Sequence, residues 1–412
     1  MSNPLVLGKD DTSGKPFQIS PKSVQAHTCI VGKSGCGKTT LVARYVEEVV
    51  LRDAGNVLLL DYNHEFSAFG QVSASAFDGK NGKGVNPLCP EDERAAFEAA
   101  WGNSQNAISS ISAEQMRVPF SEMSPAELAY FVGVDSYRDP GAFWMVRLLI
   151  DEYGYRKSFK DWSGLCRRVR TFERWSEGRR KATEYDIAET AHVMESLTTR
   201  LDHSRLRNGV AGSAGGKFLA FADDAAPGAV LLNRGFFSTL LGDRRFTALD
   251  MLNFSYDETN ARGFIILHGL RLLWDSAKER FRRAKATGKE IGPPLFVIID
   301  EAHNLVRAGE TNPIIELVET IAAEGRKFGV FLVLITQRPD KISERVVSEC
   351  ENFVTMRSTP GVAQFMRKKL SVGGGKEFDE NVRSLAVGQA IFYGRFTDDE
   401  MRQVSVGFRR TQ

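Results

Sequence analysis

The stretch Thr28-Cys29-Ile30-Val31-Gly32-Lys33-Ser34-Gly35-Cys36-Gly37-Lys38-Thr39-Thr40 decides the fold class. An apolar run leads straight into a glycine-rich loop that closes on Lys-Thr. Leu41, Val42, Tyr45, Val46 and Val49 then follow at helical spacing. Gly32 to Thr39 is a complete G-x-x-x-x-G-K-[ST] loop in the strand-to-helix setting that this motif needs. Glycines let successive backbone N–H groups turn inward around phosphates, Lys38 brings a point charge to the β and γ positions, and Thr39 offers its hydroxyl to Mg²⁺ at a helix N-terminus. The candidate nucleotide-binding residues are therefore Gly32, Lys33, Ser34, Gly35, Cys36, Gly37, Lys38, Thr39 and Thr40. A second apolar run, Val57 to Leu60, ends in Asp61 and completes a strand, loop, helix, strand unit of an α/β fold.

Two further stretches supply the remaining chemistry. Leu295-Phe296-Val297-Ile298-Ile299 reads as a buried strand that delivers Asp300 and Glu301 at its C-terminal end. Asp300 is a candidate for the magnesium shell, and Glu301 for polarising the attacking water. A carboxylate base beside a metal-binding acid suits hydrolysis of ATP better than transfer to a metabolite that brings its own nucleophile. The second stretch, Glu324-Gly325-Arg326-Lys327-Phe328-Gly329, leads into Val330 to Thr336 and then Gln337-Arg338-Pro339. It predicts a helix end, a tight turn and a central strand with a polar tip. Gln337 is placed to sense the γ-phosphate or to order the lytic water. Arg326 and Arg338 are both candidates for a finger acting on a neighbouring subunit.

The rest of the chain bounds these readings. Its 412 residues allow two or three domains with ample core. With 42% hydrophobic and 26% charged residues, the composition excludes collagen-like, low-complexity and extensively disordered classes. A net charge of +2 is too balanced to announce nucleic-acid binding by bulk charge, so such binding would use local patches. The 5 cysteines lack paired C-x-x-C units, which argues against a zinc site or a disulfide framework and for a reducing, cytoplasmic setting. No leader pattern opens the chain, and no run approaches the roughly 18 apolar residues that cross a bilayer. Composition and periodicity divide the chain into a first core segment at 1–89, a mostly helical insertion at 90–217 and a second core segment at 218–412. Within the insertion, Pro125 to Val132 and Ala188 to Leu197 read as helices. Beyond it, a long amphipathic helix is expected from about Asp257 to Lys285, and a hairpin from Gly388 closes the chain.

Gly32 to Thr39, Asp61-Tyr62-Asn63-His64-Glu65-Phe66, Asp300-Glu301-Ala302-His303-Asn304, Glu324 to Gly329 and Thr336-Gln337-Arg338-Pro339 together resemble the HerA branch of the HerA/FtsK ATPases. The likeness runs from Leu7 to the closing Val387–Gly394 segment and is weakest in the insertion. It implies a RecA-like P-loop core with a helical insert, working as a hexameric ring that moves double-stranded DNA through its pore with ATP and Mg²⁺. A nuclease or other effector is implied as partner. Carried over by motif, Lys38 and Thr39 bind nucleotide and metal, Glu301 is the catalytic acid, Arg326 the trans finger and Gln337 the sensor. Pore loops in related motors follow strand tips, which points to the segments after Asp61 and after Asn304, near Arg307. Two departures stand out. Only 31 residues precede Gly32, fewer than the N-terminal barrel of archaeal HerA proteins requires, so barrel-mediated nuclease recruitment is not expected. The second loop carries His64 where the family more often has a turn glycine. A different class of reading remains beside the motor: a nucleotide-dependent ring scaffold that organises an effector enzyme in an antiphage defence complex. A conjugation or secretion pump is a third reading, disfavoured by the want of a membrane anchor. Basic clusters at Arg167 to Arg174, Arg179 to Lys181 and Arg280 to Lys285 are candidate phosphate contacts.

Overall fold

Six strands, Thr28–Val31, Asn56–Asp61, Phe246–Asp250, Leu295–Ile299, Val330–Thr336 and Asn352–Met356, are buried along their whole length. Strands covered on both faces read as continuous apolar runs rather than alternating ones, which is why the sequence marks them so clearly. In the computed structural model, which describes residues 4–66, 69, 71, 97–99, 101, 108–135, 138–156, 164–165, 199, 219–220, 228–242, 246–252, 254, 259–371, 376–407 and 409–411, these strands lie side by side and parallel.

Numbered in chain order, the strands are β1 (Leu5–Asp10), β2 (Pro16–Ile19), β3 (Thr28–Val31), β4 (Asn56–Asp61), β5 (Ile108–Ser112), β6 (Met116–Pro119), β7 (Leu219–Ala220) and β8 (Val230–Leu231). They continue with β9 (Phe246–Asp250), β10 (Leu295–Ile299), β11 (Val330–Thr336), β12 (Asn352–Met356), β13 (Gln389–Gly394) and β14 (Arg402–Val406). The chain divides into two compact units. One comprises residues 1–111, 238–252 and 274–412, and the other residues 112–237 and 253–273. The first holds the large sheet, ordered β2-β1-β14-β13-β12-β3-β11-β10-β4-β9-β5. The strand that carries the glycine loop is thus separated from the acid-bearing β10 by β11. The expected closing hairpin is β13–β14, which joins an antiparallel margin with β1 and β2.

Helix α1 (Lys38–Leu51) covers one face of this sheet. Leu41, Val42, Tyr45, Val46 and Val49 pack into one core with Val57, Leu59, Phe296, Ile298, Val333, Ile335 and Met356. Its other side is held by ion pairs rather than by apolar packing. Arg44, Glu47 and Glu48 are fully buried. Arg44 reaches Glu47 and Glu48 at 3.5 and 3.3 Å, and the Arg410 guanidinium reaches Glu48 at 3.0 Å. The backbone N–H groups of Arg410 and Thr411 donate to Glu47 Oε1 at 2.7 and 2.8 Å. β1 joins the same cluster, with the Val6 N–H donating to Glu48 and its carbonyl accepting from Arg44. The phosphate-loop helix is therefore clamped from both ends of the chain.

The second unit contains the three-stranded parallel sheet β7-β6-β8 and helices α2 (Pro125–Val132) and α3 (Pro140–Arg156). The small sheet was not anticipated from the Ala-, Glu- and Arg-rich composition of this region; its strands are too short to carry a periodic signal. α2 starts on a capping box between Ser124 and Glu127, as its Ser-Pro-Ala-Glu sequence encodes. Glu127 is buried, which pushes its carboxyl up. Hydrogen bonds and charge from His268 and Arg271 outweigh that and hold it at about 2. The expected helix at Ala188 to Leu197 and the basic clusters at 167–174 and 179–181 lie outside the described residues.

Helix α4 spans Arg234–Gly242, and the long helix, α5, spans Thr259–Thr287. Its basic end, a candidate phosphate contact, is only partly exposed to solvent. Arg280 is half-buried and donates to the carbonyls of Leu241, Pro293 and Phe328 at 2.8, 2.9 and 3.3 Å, so it ties chain segments together. Arg282 and Arg283 both pair with Glu279 at 2.9 Å. α6 (Pro313–Glu324), α7 (Glu344–Ser348), α8 (Pro360–Lys369) and α9 (Lys376–Ser384) complete the described helices.

Candidate functional site

All six parallel strands end at the same edge of the sheet, so the loops that follow them converge there. Gly32 and Lys33 leave β3 locked to their neighbours: the Gly32 N–H donates to the Thr336 carbonyl at 3.2 Å and the Lys33 N–H to that of Arg357 at 2.9 Å. A Cβ on Gly32 would sit 2.6 Å from Cys36 Sγ and 2.9 Å from Met356 Cβ, so only glycine fits this crossing. Gly37, at φ 105°, turns the chain into α1 and caps it without a side chain. The first N–H groups of the helix therefore have no side-chain acceptor at this cap, the arrangement that receives an anion. Lys38 Nζ donates to the Lys33 carbonyl at 3.1 Å, which keeps the ammonium folded over the loop.

The acid pair follows β10. Asp300 is 7% exposed. Burial, the Glu301 charge and then the more distant charges of Glu65 and Asp61 push its carboxyl up to about 7, against an opposing bond from the Glu301 N–H. Glu301 itself adopts φ 45°, ψ 47°, a left-handed conformation that a glutamate occupies only at a cost of about 1–2 kcal/mol. The strain aims its carboxylate at the middle strand, where Gln337 Nε2 donates to Glu301 Oε1 at 2.7 Å. Glu301 Oε2 is buried and accepts no hydrogen bond, although His303 Nδ1 lies 3.3 Å away. That imidazole bonds Thr336 Oγ1 at 3.1 Å, and burial holds its pKa below the ordinary histidine value.

The loop after β4 closes the arrangement. Asp61 accepts from the N–H groups of Asn63, Glu65 and Phe66 at 3.3, 3.2 and 3.0 Å, and burial nevertheless pushes its carboxyl up. Glu65 accepts the hydroxyl proton of Thr39. Asn63 Nδ2 donates to Asp300 Oδ2 at 2.9 Å, and His64 Nδ1 meets Asp250 Oδ2 at 2.5 Å. Asn63, Asp250 and His303 were absent from the sequence-derived candidates. A signal for Asp250 existed, since it ends an apolar run just as Asp61 and Asp300 do.

Lys38, Thr39, Asp300, Glu301 and Gln337 thus gather at one edge. Arg326 does not join them. It lies in the turn Gly325–Phe328 before β11, whereas Gln337 follows the far end of that seven-residue strand. At about 3.3 Å per residue the separation is roughly 20 Å or more. The Arg326 side chain is 61% exposed and pairs with Glu351 at 2.8 Å. Arg338 is on the same edge as Gln337, exposed, and lines a cavity of about 590 Å³ with Lys33, Gln337 and Lys368. Arg307 pairs with Glu310 at 3.5 Å.

The donor set fits a magnesium ion. Thr39 and Asp300 offer the hard oxygen ligands that this cation prefers. The raised Asp300 carboxyl and the bond-free Glu301 Oε2 mark negative charge that the protein alone leaves unneutralised. Among the described residues no group of three or more His, Cys, Asp and Glu side chains has a metal-ligating arrangement, and no helix is long and apolar enough to cross a membrane.

Known proteins resemble this chain in sequence and in fold. The family model described as the central domain of helicase HerA matches residues 5–160, and that of the ATPase family associated with various cellular activities matches residues 251–358. The chain is 31% identical over 131 residues to the DNA double-strand break repair helicase HerA of Saccharolobus solfataricus, covering 32% of this chain and 26% of that one. To the HerA of Pyrococcus furiosus it is 33% identical over 102 residues, 25% of this chain and 18% of that one. The aligned part is therefore well under a third of either relative. Among solved structures, VirB4 of Thermoanaerobacter pseudethanolicus superposes with a TM-score of 0.57 at 12% identity, over 98% of this chain and 97% of that one. The bacterial conjugative coupling protein TrwB gives 0.62 at 11% identity, over 100% and 91%. At such identities the likeness concerns the fold.

Proposed function

We propose that the chain, whose sequence is similar to HerA helicases, is a P-loop ATPase that hydrolyses ATP with Mg²⁺ to move double-stranded DNA, and that it does so as a homohexameric ring. The observation that carries this reading is the split between the two edges of the sheet. Lys38, Thr39, Asp300, Glu301 and Gln337 assemble one incomplete site, and Arg326 is presented at the opposite edge, out of reach of it. A cation that cannot serve its own site serves another subunit's.

In this reading the N–H groups of residues 33–39 and Lys38 hold the β- and γ-phosphates, and Thr39 with Asp300 would hold Mg²⁺, which neutralises charge developing on the phosphate oxygens when bound. Glu301 accepts the proton of the attacking water, and Gln337 fixes the orientation of that carboxylate through its 2.7 Å bond. The neighbouring subunit's copy of Arg326 meets the charge that grows on the γ-phosphate as the bond to the β-phosphate breaks. DNA as the moved polymer rests on the similarity to DNA double-strand break repair helicases, and a nuclease or other effector as partner on the resemblance to the HerA branch.

The test is ATP turnover with and without duplex DNA, with molecular mass measured in parallel. Stimulation by DNA in a six-subunit assembly, abolished by Lys38→Ala, is the expected result. Turnover indifferent to DNA, from a monomer, overturns the translocase reading.

A further inference from the structure

The loop Asp61–Phe66 has no chemical role in the mechanism above, yet its polar side chains Asp61, Asn63, His64 and Glu65 are all bonded. Two of those bonds end on the residues read as metal ligands: Asn63 donates to Asp300 Oδ2 at 2.9 Å, and Glu65 accepts from Thr39 Oγ1. We propose that this loop is the outer shell of the magnesium site, with Asn63 and Glu65 as positioning residues that aim Asp300 and Thr39 at the cation. The proposal rests on the reading of Thr39 and Asp300 as the ligands.

Hydrogen-bond capacity gives the reason. A threonine hydroxyl has one proton and two lone pairs. With its proton committed to Glu65, the hydroxyl rotor is fixed and a lone pair faces outward for a cation. A carboxylate has lone pairs to spare on both oxygens, so Asp300 can take the Asn63 amide on Oδ2 and the Glu301 N–H on Oδ1 at 2.9 Å and still bind metal. Two donors arriving from different directions fix its plane. Outer partners of this kind orient ligands that would otherwise rotate.

The loop is itself held in the shape this task needs. Asp61 gathers three N–H groups of the turn. His64 sits at φ 59°, where a glycine would be unstrained, and its ring is fixed by the 2.5 Å contact with Asp250 Oδ2. The histidine thus replaces the freedom of a glycine turn with a side-chain anchor to β9. The anchor places residues 63 and 65 on either side of it, facing Asp300 and Thr39.

The decisive experiment measures ATP binding by calorimetry on the full chain, once across a Mg²⁺ titration and once in EDTA, for the wild type, Glu65→Ala, Asn63→Ala and Glu65→Gln. Each alanine variant should raise the Mg²⁺ concentration for half-saturation by about 10- to 100-fold. Metal-free ATP affinity should not move. Glu65→Gln, whose amide oxygen still accepts from Thr39, should stay within about threefold of the wild type. Unchanged magnesium dependence in both alanine variants overturns the proposal. So does an equal loss of metal-free binding, which would make the loop a prop for the phosphate loop. A wild type whose ATP binding ignores Mg²⁺ would instead refute the assignment of Thr39 and Asp300 as ligands, and this proposal with it.

Discussion

The two edges of the parallel strands are built on opposite electrostatic plans. At the C-terminal edge, Asp61, Asp250, Asp300, Glu301 and Glu65 crowd together, four of them with 14% exposure or less, and no lysine or arginine side chain makes an ion pair with Asp300 or Glu301 among the described residues. At the N-terminal edge the acid is only half-buried: Glu351 takes Arg326 at 2.8 Å and Arg395 at 3.4 Å, and all three side chains are at least one-third exposed. The buried titratable groups share one first cause, burial, which favours the neutral form of an acid and of a base alike. Asp300 is pushed up to about 7, whereas burial, and secondarily the Arg326 charge, lower His27 to about 4. One edge holds a charge deficit that only a cation from outside can meet. The other presents exposed cations whose desolvation costs little.

The largest effect that this contrast predicts is on turnover. Arg326→Ala should bind ATP normally and hydrolyse it about 10³-fold more slowly. Mixed with Glu301→Gln subunits it should regain part of the activity, because an interface can then pair one subunit's intact Glu301 with its neighbour's intact Arg326. Mixtures as inactive as both parents would break the comparison, since Arg326 would then not act across an interface. Next in size, Glu301→Gln alone keeps the Gln337 contact but removes the base, so steady-state hydrolysis should fall by ~100-fold or more while ATP still binds. Wild-type rates would move the base to another residue.

A smaller effect is on the pH dependence of stability in the absence of metal. Between about pH 4 and 7 the folded protein holds a proton on Asp300 that the unfolded chain has released, so this group makes stability fall as pH rises. His27 acts in the reverse sense. Between about 4 and 6.5 it is neutral when folded and charged when unfolded, so its contribution is complete above 6.5 and is lost as pH falls toward 4. The two slopes oppose each other in the wild type. Thermal melts from pH 4.5 to 7 should therefore tilt upward with pH in Asp300→Asn and downward in His27→Gln. Parallel profiles in the two variants would show that the edges do not differ in this way.

The smallest effect is expected for Glu351→Gln. An exposed ion pair contributes between about 0 and 1 kcal/mol, so the urea midpoint should barely shift. A loss of about 3 kcal/mol or more would mean that Glu351 is structurally indispensable at the N-terminal edge, and the contrast with the buried acids would shrink.

Much of the fold was legible before any coordinates. The phosphate loop, the strands at 28–31, 56–61, 295–299 and 330–336, and the long helix at 259–287 were marked by the residues that form them. Gly32 to Thr39 is a contiguous motif whose function is encoded in its own backbone, and a strand buried on both faces announces itself by an unbroken apolar run. Asp300, Glu301 and Gln337 are candidates in the sequence because they stand at the ends of such runs.

The residues that the sequence did not surrender are those whose meaning depends on which strands are neighbours. Strand order is set by pairings between segments up to hundreds of residues apart, and no local periodicity encodes it. Only the insertion of β11 between β3 and β10 brings Gln337 onto Glu301, and only the adjacency of β4 to β9 and β10 brings Asn63 to Asp300 and His64 to Asp250. The same holds for charge. Arg280 looks like part of a basic patch along the chain, but its half-buried guanidinium donates through Nη1 and Nη2 to three carbonyls from distant segments. Sequence determined which groups the protein owns and the elements that carry them. The tertiary structure alone decided which edge each group reaches, because a parallel sheet sends every strand's end to one side and every strand's beginning to the other.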